Sequence, residues 1–155
     1  MSNDFFQEVA DKFIFTVKKG ILYTENDVWI EMKNGEAKIG VTDFQQRRGG
    51  DAVFVELPQK GKTVRRGDDI ASFETIKAVV SITSPFEGTI IKVNSKLIDK
   101  PELINEDPYH EGWLVLVSPS NLEGDKQYLI TAEKYFELMK SKLKDELVKG
   151  SGKEA

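Results

Sequence analysis

The sequence predicts a mainly β fold, either a sandwich or a barrel, followed by one long helix. Two observations support this prediction. From Ile21 to about Val117, short apolar runs alternate with turn residues at regular intervals, as in an all-β domain. From Thr131 onward, apolar residues recur at helical spacing. The chain has 155 residues, which is enough for one domain with a hydrophobic core and short extensions.

Residues 1–20 predict an N-terminal extension that packs on the main domain. Asn3 or Asp4 can cap a short helix, in which four apolar residues recur at the spacing of one helix face: Phe6, Val9, Ala10 and Phe13. The apolar residues that follow alternate, which indicates extended chain before Gly20: Phe13, Phe15 and Val17. We therefore expect a short helix and then extended chain, with the phenylalanines in the core.

Seven short runs predict the strands of the main domain: residues 28–32, 37–41, 52–57, 69–73, 79–82, 89–93 and 113–117. Residues 33–35 predict the turn of a hairpin between the first two. The spacing Pro-x-x-Gly occurs at Pro58 and again at Pro85, and each copy precedes a strand. Two related halves would leave Lys77 at an exposed tip between them, although so common a spacing also arises by chance.

The C-terminal stretch predicts a helix that packs on the β domain. Thr131 is a suitable N-cap, and Gly150 is a suitable end. The apolar stripe consists of Ala132, Phe136, Met139, Leu143 and Leu147. The predicted organisation is an extension over residues 1–20, a domain with its C-terminal helix over residues 21–149, and a disordered tail over residues 150–155.

Composition excludes several classes of function. The net charge of -4 leaves no basic footprint for nucleic acid, and no apolar run has the length of a membrane span. The N-terminus lacks the basic and apolar blocks of a secretory signal, so we expect a cytoplasmic protein. Cysteine is absent, and the single histidine, His110, lies in a predicted turn. We therefore expect no catalytic residue and no metal ligand.

Lys77 is the residue that we expect to carry chemistry, although a lone lysine between two strands is usually a solvated turn residue. Glu74 lies three residues before it, and the small Ala78 follows it, between two extended segments. A lysine that bears an arm needs such an accessible, rigid hairpin without bulky neighbours. An acyl group on its amine would remove the charge and form a tether that raises the effective concentration of a bound intermediate.

Seven stretches of the chain resemble those of a known family. They are residues 23–24 with Trp29, 39–43, 50–51, 53–58, 74–78, 84–85 with Gly88, and 101–109 with 112–114. The central stretch, Glu74-Thr75-Ile76-Lys77-Ala78, resembles a Glu-Ser-Val-Lys-Ala lipoyl motif. On these residues the chain, from about Ile21 to Met139, is similar to the glycine cleavage system H protein family of lipoyl and biotinyl carriers.

The resemblance implies a fold, a cofactor and a role. The fold is a lipoyl-domain-like barrel-sandwich hybrid of two antiparallel sheets. The cofactor is lipoate, attached covalently to Lys77 by a lipoate-attaching enzyme that recognises Glu74, Thr75, Ile76 and Ala78. Biotin is not expected, because methionines flank the lysine of biotin domains. The role is that of a non-catalytic, monomeric carrier rather than an independent enzyme or a scaffold that has lost its arm.

Six positions are candidates for a cleft in which the arm docks: Asp27, Val28, Phe44, Arg47, Arg48 and Ser81. All six depart from the family pattern. The family has glutamate at Val28, histidine or tyrosine at Phe44, and often aspartate at Ser81. A cationic aminomethyl cargo would lose polar acceptors at these three positions.

Two pathways fit the departures. A neutral or anionic cargo is typical of the H-protein-like lipoate-binding proteins of sulfur oxidation, which work with a heterodisulfide-reductase-like complex. The alternative is glycine cleavage, with neutral drift at these positions. The arm would then carry an aminomethyl group from glycine decarboxylase, and its other partners would be aminomethyltransferase and dihydrolipoyl dehydrogenase. The departures favour the sulfur carrier slightly.

Overall fold

The computed structural model describes the backbone of residues 4–154 and the side chains of residues 4–146. The strands are β1 (Phe5–Ala10), β2 (Phe13–Lys18), β3 (Leu22–Tyr23), β4 (Val28–Lys33), β5 (Glu36–Val41), β6 (Phe54–Glu56), β7 (Thr63–Val64), β8 (Asp69–Glu74), β9 (Val79–Thr83), β10 (Gly88–Val93), β11 (Val115–Pro119) and β12 (Ile130–Thr131). The helices are α1 (Asp43–Gly49), α2 (Lys96–Asp99), α3 (Leu103–Glu106), α4 (Leu122–Asp125) and α5 (Ala132–Glu154). In the described part of the chain, none of these helices has the length and apolar character that a membrane span requires.

The strands of the described residues form antiparallel sheets. The largest has seven strands in the order β12-β3-β4-β5-β11-β10-β7, a second contains β6-β8-β9, and β1 pairs only with β2. The β4–β5 hairpin turns through Asn34 and Gly35, whose φ angles of 54° and 77° suit a two-residue type I′ turn. The predicted mainly β fold of two antiparallel sheets with a C-terminal helix is confirmed.

Two hydrophobic clusters hold the elements together. The first draws buried side chains from both larger sheets, among them Ile39 and Phe73. The second joins α1, α5 and β2 to the edge of the large sheet. Its buried members include Phe15, Val17, Tyr23, Trp29, Phe44, Tyr135 and Met139. Because full burial of one large apolar side chain contributes about 1.5–3 kcal/mol, the second cluster fixes α1 firmly on the sheet.

The predicted N-terminal helix is wrong, because residues 5–18 form the hairpin β1–β2. Its turn, Asp11-Lys12, has φ angles of 49° and 72°. The hairpin directs Phe15 and Val17 together into the second cluster, where both are buried. A run as short as β1 fits helical and strand periods alike, and burial of the partner strand decides between them. The extended chain predicted for the second arm is confirmed.

The C-terminal helix begins where the sequence predicts. The Thr131 hydroxyl accepts the backbone N–H of Lys134 at 3.2 Å, which is an N-cap contact. Three residues of the predicted stripe are buried, namely Ala132, Met139 and Leu143. The stripe therefore packs on the β domain as expected.

The predicted end of this helix at Gly150 is wrong. Helix α5 continues to Glu154, through the segment that we expected to be disordered. A single glycine costs a helix only about 1 kcal/mol, so it does not force the helix to end. The Leu147 side chain and Ala155 lie outside the described residues, and the division of the chain into domains stays a prediction.

Candidate functional site

Lys77 lies at the tip of the β8–β9 hairpin. The backbone N–H of Thr75 donates to the carbonyl of Ala78 at 2.8 Å and closes the turn. The Thr75 hydroxyl accepts the backbone N–H groups of Lys77 and Ala78, at 3.3 Å and 3.1 Å. Such hydroxyl-to-backbone hydrogen bonds stabilise tight turns. Thr75, which we predicted as a recognition residue, therefore also fixes the backbone that carries Lys77.

The motif around Lys77 is open to solvent. Lys77, Glu74 and Ala78 are exposed, and Ile76 is 98% exposed. Among the residues whose side chains are described, no carboxylate lies within ion-pair distance of the Lys77 ammonium. The amine is therefore accessible to an acylating enzyme. Recognition of the neighbouring motif residues by that enzyme stays a prediction.

The C-terminal end of α1 packs against the Lys77 hairpin. A Cβ atom on Gly49 would lie 2.9 Å from Val80 Cγ2, and a Cβ atom on Gly50 would lie 3.3 Å from Lys77 Cε. Gly50 also has a φ of 95°, which residues with side chains rarely adopt. This approach requires glycine at both positions. The sequence analysis did not predict this close approach of α1 to the hairpin. The pair Gly49-Gly50, which directly follows Arg47 and Arg48, was the feature that could have indicated it.

Ser81 lies on the exposed face of the sheet that carries Lys77. On the same face, two residues nearer the tip of the hairpin, Glu74 pairs with Phe54 on one side and with Val79 on the other. All three residues are exposed. Paired residues point to the same face of a sheet, so these side chains border the route from Lys77 to Ser81. Ser81 and Val79 also line a shallow groove of about 440 Å³.

The Asp27 carboxylate is buried and fully engaged. Asp27 is 2% exposed and has a φ of 65°. Its carboxylate accepts hydrogen bonds from Tyr135 Oη at 2.7 Å, from Lys142 Nζ at 3.0 Å, and from Arg48 Nη2 at 3.4 Å. Burial, and next the nearby Asp27 charge, raises the pKa of Tyr135 well above its usual range. Asp27 therefore links α5 to α1, and both oxygens of its carboxylate already accept hydrogen bonds from these three side chains.

Val28 and Phe44 lie in the core, in different clusters. Val28 is 1% exposed in the first cluster, and Phe44 is 1% exposed in the second. A side chain buried to this extent can form the floor beneath a cleft, but it presents no atom to a docked arm unless the packing rearranges. Their role in docking stays a prediction.

The two arginines of α1 take different directions. The Arg48 guanidinium lies 4.8 Å from the Phe44 ring centroid and beside Asp27. The Arg47 guanidinium lies over Phe13, at 5.0 Å from the ring centroid, on the N-terminal hairpin. Of the six predicted cleft residues, the structure thus brings Asp27, Phe44 and Arg48 together, and it places the other three elsewhere.

An exposed lysine on a closed hairpin turn, with Gly50 beside its stem and a motif around it that resembles a lipoyl motif, has the features that a covalent carrier protein requires. Comparison with known protein families identifies the kind of carrier. It matches the Glycine cleavage H-protein family over residues 21–142, and it belongs to that family.

Individual relatives agree with the family match. The chain is 43% identical over 128 residues to a probable glycine cleavage system H protein of Aeropyrum pernix, covering 83% of this chain and 89% of the relative. It is 39% identical over 135 residues to glycine cleavage system H protein 4 of Aquifex aeolicus, covering 85% of this chain and 77% of the relative. It superimposes on the crystal structure of a glycine cleavage system H protein from Mycobacterium marinum with a TM-score of 0.70 and 33% identity, covering 77% of this chain and 95% of that one.

Three conclusions follow from the family match. The predicted resemblance and the lipoyl-domain-like fold are confirmed, and the protein is a non-catalytic carrier of the lipoyl type. These relatives are named for glycine cleavage, and the sulfur-oxidation interpretation finds no support among them. The family match begins at residue 21, so the hairpin β1–β2 lies outside it.

Proposed function

We propose that Lys77 carries lipoate in amide linkage, and that the arm transports the aminomethyl group derived from glycine between the enzymes of glycine cleavage. One observation carries the proposal. In a chain of the H-protein family, the lysine of the lipoyl-like motif stands exposed on a fixed turn. The partners would be a lipoate-attaching enzyme, glycine decarboxylase, aminomethyltransferase and dihydrolipoyl dehydrogenase.

The residues around Lys77 fit such a group. Thr75 holds the turn through two backbone hydrogen bonds, so the amine extends from a defined point. Gly50 leaves space beside the Lys77 stem, where a Cβ would lie 3.3 Å from Cε. Acylation would remove the lysine charge and leave a neutral amide, while the bound lipoate would supply the disulfide that accepts the cargo. Glu74, Ile76 and Ala78 would face the attaching enzyme.

Two of the substitutions that had favoured a sulfur cargo lie in the core. Val28 and Phe44 are buried among apolar side chains, so apolar residues at both positions suit the packing whatever the cargo. Ser81 is exposed, and Glu74 lies on the same exposed face, nearer Lys77. The Glu74 carboxylate is therefore available near the arm. Glycine cleavage is the pathway that the named relatives support.

The test is aminomethyl transfer from labelled glycine to the lipoylated protein in the presence of glycine decarboxylase. We expect label on the wild-type protein and on Lys62→Arg, which changes another exposed lysine, but none on Lys77→Arg. A fully lipoylated wild-type protein that accepts no label, beside an H protein that accepts it, would contradict the glycine-cleavage assignment and return attention to a sulfur cargo.

A further inference from the structure

The N-terminal hairpin has one covered edge and one open edge. On β2, the outward backbone N–H of Thr16 donates to the Asp43 carboxylate at 2.9 Å, and the Thr16 carbonyl accepts the Tyr109 hydroxyl at 2.7 Å. Strand β1, by contrast, pairs only with β2. Within the described part of the chain, the other edge of β1 therefore has no strand beside it.

The register of the hairpin identifies the backbone groups at this open edge. The Lys19 N–H donates to the carbonyl of Asp4 at 2.8 Å, one step beyond the pair of Phe5 with Lys18. Hydrogen-bonded and non-hydrogen-bonded pairs alternate in an antiparallel ladder. The N–H and C=O groups of Phe5, Gln7 and Val9 therefore point away from β2. Among the described residues, none of these groups bonds to another backbone group.

The open edge lacks the usual protection against a further strand. Natural edge strands commonly carry proline or charged side chains that prevent association. Strand β1 contains no proline, and its two exposed side chains, Gln7 and Val9, are uncharged. Val9 is 69% exposed, so an apolar side chain lies directly beside the open backbone groups. An added strand would cover both.

A two-fold pairing of β1 with itself satisfies this edge. Antiparallel copies centred on Gln7 place Phe5 of each copy opposite Val9 of the other. All three outward positions then form hydrogen-bonded pairs, in which the two residues exchange both N–H···O bonds. The side chains pair apolar with apolar and amide with amide. A two-fold contact of this kind is self-complementary and closed, so association ends at the dimer.

The single charge on β1 also fits this register. An inward-facing charge on an edge strand usually opposes pairing. In the two-fold register, Glu8 of one copy would lie opposite Phe6 of the other, and the Lys19 ammonium lies 4.6 Å from the centroid of that Phe6 ring. Neither Glu8 nor Lys19 belongs to an ion pair among the described side chains. The register therefore brings an unpaired carboxylate to an unpaired ammonium twice.

We propose that a second copy of this chain binds at the β1 edge, and that the two β1 strands pair antiparallel about Gln7. The two hairpins then form one continuous sheet. The family match begins at residue 21, so the monomer that the resemblance implies does not extend to this hairpin. The dimer is independent of lipoylation, because no residue of the Lys77 hairpin takes part in it.

Sedimentation velocity of the full chain over a series of concentrations tests the dimer. We expect the mass of the wild-type protein to approach twice that of one chain as the concentration rises. Val9→Pro removes an outward N–H from each copy but no bond to β2, so it should raise the dimer dissociation constant at least about tenfold. A wild-type protein that stays monomeric at every concentration would overturn the proposal. A folded Val9→Pro variant that dimerises as the wild-type protein does would overturn it equally.

Exchange of the charges tests the register without proline. Glu8→Lys and Lys19→Glu each bring like charges together, so each should weaken the dimer by about threefold or more. The double variant restores opposite charges and should dimerise within about twofold of the wild-type protein.

Lys60→Glu is the matched control for Lys19→Glu. Lys60 is also exposed, and it lies between β6 and β7. We expect it to leave the dimer unchanged, and we expect all four charge variants to keep the wild-type melting temperature. A double variant as weak as the single variants, or a loss of the dimer in Lys60→Glu equal to that in Lys19→Glu, would overturn this interface.

Discussion

Two charged groups contact helix α1 and have opposite environments. Lys77 lies beside Gly50 at the end of this helix, exposed and without an ion-pair partner among the described side chains. Asp27 is buried, and Arg48 of the same helix, Lys142 and Tyr135 donate to it. The comparison shows that the two charged groups serve different purposes. The Lys77 amine is accessible to other molecules, whereas the Asp27 carboxylate attaches α5 to the rest of the fold.

Alkaline pH should disrupt the buried site most strongly. Burial raises the pKa values of Tyr23, Tyr109 and Tyr135 above the ordinary value of about 10. Above about pH 10, the unfolded chain loses these protons while the folded chain keeps them. The free energy of unfolding therefore falls as pH rises, by about 1.4 kcal/mol per pH unit for each tyrosine.

The measurement is the melting temperature from pH 8 to pH 11.5, together with tyrosinate absorbance at each pH. We expect full stability below about pH 10 and a steep loss above it. In a Tyr128→Phe variant, which removes the exposed tyrosine, tyrosinate absorbance should rise only as the protein unfolds. Ionisation of these tyrosines near pH 10 in a protein that remains folded would contradict the role of burial.

Asp27→Asn should have the next largest effect on stability. It removes the charge that Lys142 and Arg48 approach and weakens the acceptor for Tyr135, so we expect a loss of about 2–3 kcal/mol in the free energy of unfolding by urea. Glu146→Gln is the control, because this exposed partner of Arg48 should contribute less than about 1 kcal/mol. Equal effects of the two variants would show that the Asp27 cluster does not stabilise the fold. Lipoylation of the folded protein should be unchanged in both.

Gly50→Ala should have a smaller effect on stability and a specific effect at Lys77. Gly50 and Gly61 have φ angles of 95° and 90°, so alanine at either position should cost about 1 kcal/mol through backbone strain. Only at Gly50 would the new Cβ approach Lys77 Cε. We expect slower lipoate attachment to Gly50→Ala than to Gly61→Ala at equal folded fraction. Equal attachment rates would show that space beside the lysine stem is unimportant.

The hairpin of Lys77 could be predicted from the sequence, because two short strand-like runs flank it and its motif is local. Helix α1 was missed, although its N-cap pattern was visible: the Thr42 hydroxyl accepts the backbone N–H of Gln45 at 3.2 Å. The burial of Asp27 could not be read from strand alternation. Its φ of 65° breaks the extended backbone just before β4, and its partners on α5 are more than 100 residues away along the chain.

The central claim is that Lys77 alone bears the lipoyl arm, and peptide mass mapping of protein from its native source tests this most directly. We expect one lipoyl mass increment, on the peptide that contains Ile76-Lys77-Ala78, and its loss in Lys77→Arg but not in Lys62→Arg. A lipoyl increment that survives Lys77→Arg, or that maps to another lysine of the wild-type protein, would contradict the account.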